Sequence, residues 1–157
     1  MYSRPLVSAD FDVPARCDGP GFHLRMLTVR DVVLDYAAVM ESEARLVGFM
    51  DPASTWPCGL TIEENLIDLG WHQREFTIRH SFAYTVMNDA EDRCLGCCYV
   101  YPSDRAGWDA MAYYWCRERE FREGLDDTLG RVFRGMIVSW PLPRIAFPGR
   151  DIPWSSW

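Results

Sequence analysis

Apolar and polar residues alternate along Phe22-His-Leu-Arg-Met-Leu27, the period of a half-buried strand. At Thr28 the period lengthens. Thr28-Val-Arg-Asp31 has the form in which a hydroxyl and a carboxylate cap a helix start reciprocally. Val29, Val32, Val33, Tyr36, Met40 and Val47 then recur at helical spacing, predicting a helix to about Leu46. Residues 51–59, rich in Pro and Gly, break that pattern. Thr61-Ile-Glu-Glu64 repeats the capping form and opens a second helix to about Arg79. Ile62, Leu66, Leu69 and Phe76 fall on one face of it, Gln73 interrupts that face, and Ile67 and Trp71 widen it.

The period then falls to 2. Residues 82–87 and 94–101 read as strands joined by the turn-forming stretch 88–92, and residues 102–107 turn the chain into a third strand, 110–116. Links this short imply an antiparallel meander. After the charged run 117–123, which reads as a solvated loop, a helix is predicted over 124–140, with Leu125, Leu129, Val132, Met136 and Trp140 inward. Pro141-Leu-Pro143 ends it, and residues 144–147 form a short last strand. A strand–helix–strand crossover is right-handed, so the last two strands should be parallel. The order βααβββαβ predicts an α+β fold, an α/β sandwich. Residues 1–21 carry Pro and Gly without periodicity and read as an extended arm, leaving 22–157 as a single domain.

Composition narrows the function classes. The 157 residues are about one domain, with 48% hydrophobic and 25% charged residues, which excludes disorder and fibrous classes. The net charge of −7, with Arg as the sole strong base, speaks against nucleic acid and anionic membranes as partners. The chain contains no apolar run of membrane-spanning length, and its first residues lack signal-peptide order, so a cytoplasmic location is expected. The six Cys are expected reduced and mostly buried. Strand alternation puts Cys94 and Cys98 on one face and Cys97 on the other, which excludes convergence on one metal ion.

Four stretches resemble the GNAT N-acetyltransferase family: Phe22-His-Leu-Arg-Met-Leu-Thr-Val-Arg-Asp31, Ser81-Phe-Ala-Tyr-Thr-Val86, Cys94-Leu-Gly-Cys-Cys-Tyr-Val100 and Ala112-Tyr-Tyr-Trp115. The likeness covers about residues 22–147 and includes a Gly, here Gly96, common in the family's central strands. It implies a mostly antiparallel sheet whose last two, parallel strands splay apart. The pantetheine arm of acetyl-CoA would lie in that gap as an added strand, and its diphosphate on the amides of a helix N-terminus. Trp115, Cys116, Arg117, Arg119, Arg122, Gly124 and Leu125 fall where the cofactor would be held. The signature Arg/Gln-x-x-Gly-x-Gly/Ala falls on Phe121-Arg-Glu-Gly124-Leu-Asp126, which keeps one Gly but has Phe121 and Asp126 at its ends. Two carboxylates, Asp126 and Asp127, suit a bare helix N-terminus and oppose a diphosphate. Arg119 and Arg122 offset them if they point inward. The family's further helix and strands, including a Tyr that protonates the leaving thiolate, are not among these residues.

Transfer of an acetyl group to an amine also needs a base. His80, Asp109 and Tyr113 lie nearest the central strands, and each also suits a plain role: a cap, a turn, a core ring. Trp56 and Trp108 stand where an acceptor cleft would form. Two readings follow: an N-acyltransferase using acetyl-CoA on a small-molecule amine or a peptide, or a non-catalytic GNAT-like module for binding or homodimerisation.

Overall fold

A computed structural model describes residues 4–157. Six strands form one sheet in sequence order: β1 (Arg16–Gly19), β2 (Phe22–Met26), β3 (Phe82–Asn88), β4 (Cys94–Pro102), β5 (Ala110–Cys116) and β6 (Ile145–Ala146). Every pairing is antiparallel except β5–β6, which is parallel. The helices are α1 (Val32–Glu41), α2 (Glu43–Leu46), α3 (Ile62–Thr77), α4 (Glu118–Arg122) and α5 (Leu125–Ile137).

Both capping boxes form. Thr28 N–H donates to Asp31 Oδ2 at 2.9 Å ahead of α1, and Thr61 N–H to Glu64 Oε2 at 2.9 Å at the start of α3. The stretch before Phe22 is more structured than an extended arm, because β1 pairs with β2 across a two-residue turn. Pro20 and Gly21 fill its centre, where Gly21 takes the positive φ of 77° that the second position requires. The run 117–123 is also more than a solvated loop. It contains α4, held by Arg45–Glu118 at 2.7 Å and Arg93–Glu120 at 2.7 Å.

Two apolar layers sandwich the sheet. On one face α5 buries Leu129, Phe133 and Ile137 against Leu24, Tyr84, Cys98, Val100 and Tyr114. On the other, α1 and α3 bury Ala38, Val39 and Leu69 against Met87, Cys97, Tyr99, Tyr113 and Trp115. The faces of α1 and α3 differ from their hydrophobic spacing. Val33 and Ile67 are exposed and Ile62 and Leu66 partly so, whereas Asp31, Asp35, Asn65 and Glu75 are buried. Polar side chains on the sheet-facing side are the physical reason: Asp35 and Asn65 line a cavity described below, Asp31 pairs with Arg25, and Glu75 with Arg74.

Cys94 and Cys97 share a face, contrary to strict alternation. The β3–β4 register shifts between Val86 and Met87, where Gly96 and Cys94 are successive partners and Leu95 is extra. One extra residue inverts the parity of everything beyond it. All six cysteines are free thiols. Burial pushes the pKa of Cys94 and Cys116 up to about 12, so both are poor nucleophiles.

Candidate functional site

The β5–β6 ladder is two residues long: Ala110 pairs with Ile145 and Met111 with Ala146, where β6 ends, so residues 112–116 of β5 have no partner strand on that side and an edge gap begins there. At the closed end Asp109 acts as a staple. Its carboxylate accepts from Arg144 Nη2 and from Arg144 N–H, both at 2.9 Å, and those bonds hold it below the ordinary carboxylate range. Asp109 therefore ties β5 to β6 and stands apart from the open end.

Arginines occupy the open end. Arg150 Nη2 donates to the Tyr114 carbonyl at 2.9 Å, and Arg45 Nη2 to the Cys116 carbonyl at 2.6 Å. These alternate carbonyls point away from β4 into the gap. Arg150 also makes a two-pronged ion pair with Asp126 at the start of α5, 2.8 and 2.9 Å, and lies 3.6 Å above the Tyr114 ring. Arg45 stacks 3.8 Å over Phe121. A cavity of about 360 Å³ opens here, lined by Arg45, Phe49, Trp115, Phe121, Asp126 and Arg150 among others.

Next to it, on the α1/α3 side of the sheet, lies a cavity of about 420 Å³. Asp35, Asn65, Asp68 and His72 line it with Trp56, Trp71, Tyr99, Tyr101, Met111 and Tyr113. Asn65 Nδ2 donates to Asp35 Oδ2 at 2.8 Å. Burial pushes the Asp35 pKa up to about 6, with Asp31 and Asp68 adding repulsion, and burial alone brings His72 down to about 4. The cavities are lined by neighbouring same-face residues of β5. Tyr113 lines one and Trp115 the other, about 7 Å apart along the strand. Trp115 Nε1 donates to Tyr99 Oη at 3.1 Å, and Trp154 of the C-terminal segment stacks on Tyr113, linking the two walls.

The residues singled out from the sequence divide accordingly. Tyr113 is in the aromatic cavity. His80 lies at the α3–β3 junction with Nδ1 3.4 Å from buried Glu75, outside both cavities. Trp115 lines the gap, and Cys116 presents its carbonyl to it. Gly124 caps α5 in the left-handed region, φ 90°, with open space where a side chain would project, and Leu125 begins the helix. Arg117 turns to Glu41 at 2.5 Å, while Arg119 and Arg122 pair along α4 with Glu123 and Glu118 on its exposed side. The offset for Asp126 is Arg150, which sequence spacing gave no means of placing there. Trp56 lines the aromatic cavity, and Trp108 instead lies 6.3 Å from Trp157. Asp35, Asn65 and His72 were missed because polar residues on helix faces ordinarily mark the solvent side.

Fit to acetyl-CoA is divided. The unpartnered edge of β5 beyond Met111 fits an extended arm. In the turn before α5 the N–H groups of Phe121, Glu123 and Gly124 are taken by the carbonyls of Arg117, Arg119 and Phe121, which leaves the amides at the start of α5 itself to face a diphosphate. Asp126 and Asp127 add negative charge to the same turn.

No family model matches the sequence, and no curated protein matches it. Solved structures do match. One is RimL, a ribosomal L7/L12 alpha-N-protein acetyltransferase in complex with coenzyme A, with TM-score 0.62 and 16% identity, over 80% of this chain and 67% of that one. Another is the microcin C7 self-immunity acetyltransferase MccE with acetyl-CoA and AMP, TM-score 0.59, 11% identity, over 74% and 62%. A third is a GNAT-family acetyltransferase from Bacillus anthracis, TM-score 0.56, 11% identity, over 80% and 67%. The chain spans about two thirds of the length of these structures. With the mixed sheet and the short parallel β5–β6 pair, these likenesses establish that the chain has the GNAT acetyltransferase fold.

Proposed function

We propose that this chain is a GNAT-type N-acyltransferase that takes acetyl-CoA at the β5–β6 gap and an amine acceptor in the aromatic cavity. The observation that carries this reading is the pair of cavities lined by neighbouring residues of β5, Trp115 and Tyr113, the first with Arg45 and Arg150, each ion-paired, and the second with carboxylates and no arginine. An amine is drawn to the carboxylate cavity, which lies on the same face of β5 as the gap cavity. Trp115, Phe49 and Trp154 supply the apolar part of the gap cavity's wall. Acceptors of the RimL type, a protein amino group, and small amines both suit this arrangement.

A second reading rests on Arg150 and Arg45. Their hold on the gap carbonyls suits a binding module whose groove its own C-terminal segment fills. Thermal melting with acetyl-CoA separates the two. Ligand at 100 times its Kd adds about 2.7 kcal/mol, a Tm rise of about 5–10 °C for a domain of this size. The double variant Arg150→Ala/Asp126→Ala opens the gap without changing net charge and is expected to bind at least tenfold tighter. No shift at millimolar acetyl-CoA in either protein selects the binding module.

A further inference from the structure

The aromatic cavity carries an unbalanced negative charge. Asp35 is 3% exposed and contributes to its wall. The groups that reach Asp35 are Asp31 ahead of α1, Asn65 and Asp68 on α3, and Cys94, Cys97 and Tyr99 on β4, none of them cationic. Among the described residues neither Asp35 nor Asp68 belongs to an ion pair. The chain has 16 arginines, yet none lines this cavity, and its one imidazole, His72, is held neutral by burial. A buried carboxylate without a counter-charge is unfavourable and is retained where a ligand completes it.

The rest of the wall selects the kind of cation. The rings of Tyr99 and Tyr101 stack at 5.7 Å and 10°, Tyr113 is tilted against Tyr101 at 6.1 Å, and Trp56 and Trp71 also line the space. Aromatic faces attract organic ammonium groups, and apolar surface suits a flat hydrocarbon body. A hydrated metal ion would gain nothing from such walls.

We infer that the cavity binds a primary ammonium carried on a flat apolar body, with the nitrogen at Asp35 and the body against Tyr99, Tyr101 and Trp71. Treating that ligand as the acyl acceptor rests on the transferase reading above; the binding itself does not. A volume of about 420 Å³ holds a phenylalkylamine with room to spare and admits only the end of a peptide.

The test is calorimetric titration of the full chain with 2-phenylethylamine and with 2-phenylethanol, which match in shape and differ in charge. The amine is expected to bind at least tenfold more tightly than the alcohol at pH 7.5. Asp35→Asn should abolish that ratio, and acidification to pH 5 should shrink it as Asp35 takes up a proton. Trp71→Ala, at a ring 37% exposed, should weaken amine and alcohol alike by about threefold to fivefold and leave the ratio unchanged. Equal binding of amine and alcohol, failure of both to bind at millimolar concentration, or a ratio unchanged in folded Asp35→Asn would overturn the inference. Acetyl-CoA titrated into the same sample separates it from the transferase reading: amine binding without acetyl-CoA binding leaves the cation site and removes the transferase, and the converse removes the cation site alone.

Discussion

Replacing Gly96 with alanine is expected to destabilise the protein by about 3–5 kcal/mol, a large part of the stability of an ordinary domain. The added methyl would lie 2.1 Å from the Trp115 carbonyl oxygen and 2.9 Å from the Cys116 Cα, both backbone atoms that no rotamer change can move. Gly96 pairs with Cys116 at the end of the β4–β5 ladder, beside the extra residue that shifts the β3–β4 register. Separating β4 from β5 there would also displace Trp115 from Tyr99 and disturb both cavities. Urea unfolding measures the effect. A loss below about 1 kcal/mol would show that the strands can part at this point and that the close approach is not required.

Asp35→Asn is expected to act in the opposite direction, stabilising the protein by up to about 3 kcal/mol at pH 7. In the folded protein the Asp35 pKa is raised to about 6, above its unfolded value near 3.9. The folded state therefore binds the extra proton between about pH 4 and pH 6. Stability falls as pH rises through that window and then levels off, and the variant lacks the fall. Near pH 3.5 the two proteins should be equally stable. His72, lowered to about 4, loses stability in the reverse sense as pH falls below about 6.5, but it is common to both proteins and cancels in the difference. The amide can still accept from Asn65, so the α1–α3 contact survives. Equal stability of variant and parent from pH 4 to pH 8 would mean that Asp35 is solvated, and the unbalanced cavity charge would go with it. A gain in stability paired with a loss of amine binding is the pattern of a residue kept for a ligand.

Much of this was legible in the residues, and what was hidden has common physical causes. The capping boxes at Thr28 and Thr61, the change of period after Arg79 and the crossover into Ile145 each follow from local rules. They placed the helices, the meander and the parallel pair. The gap beside β5 followed from the resemblance those elements supported. Hydrophobic spacing failed on α1 and α3, where Asp35, Asn65 and His72 face inward. A count of apolar positions therefore assigned Val33, Leu66 and Ile67 to the buried side. Alternation failed at Cys94 because a bulge leaves no composition signal of its own. Arg150 was out of reach altogether: its pairing with Asp126 spans 24 residues and depends on how the chain turns after β6. The general lesson is that local periodicity finds elements, whereas charges buried between elements need coordinates.

The most direct test of the transferase is turnover with both substrates supplied. Incubation with acetyl-CoA and 2-phenylethylamine at pH 7.5 is predicted to form N-acetyl-2-phenylethylamine, detected by mass spectrometry. One free thiol should appear for each amide, and the rate should fall in Asp35→Asn. Both ligands bound at saturation with no amide formed would contradict the account and leave a GNAT-fold binding protein in its place.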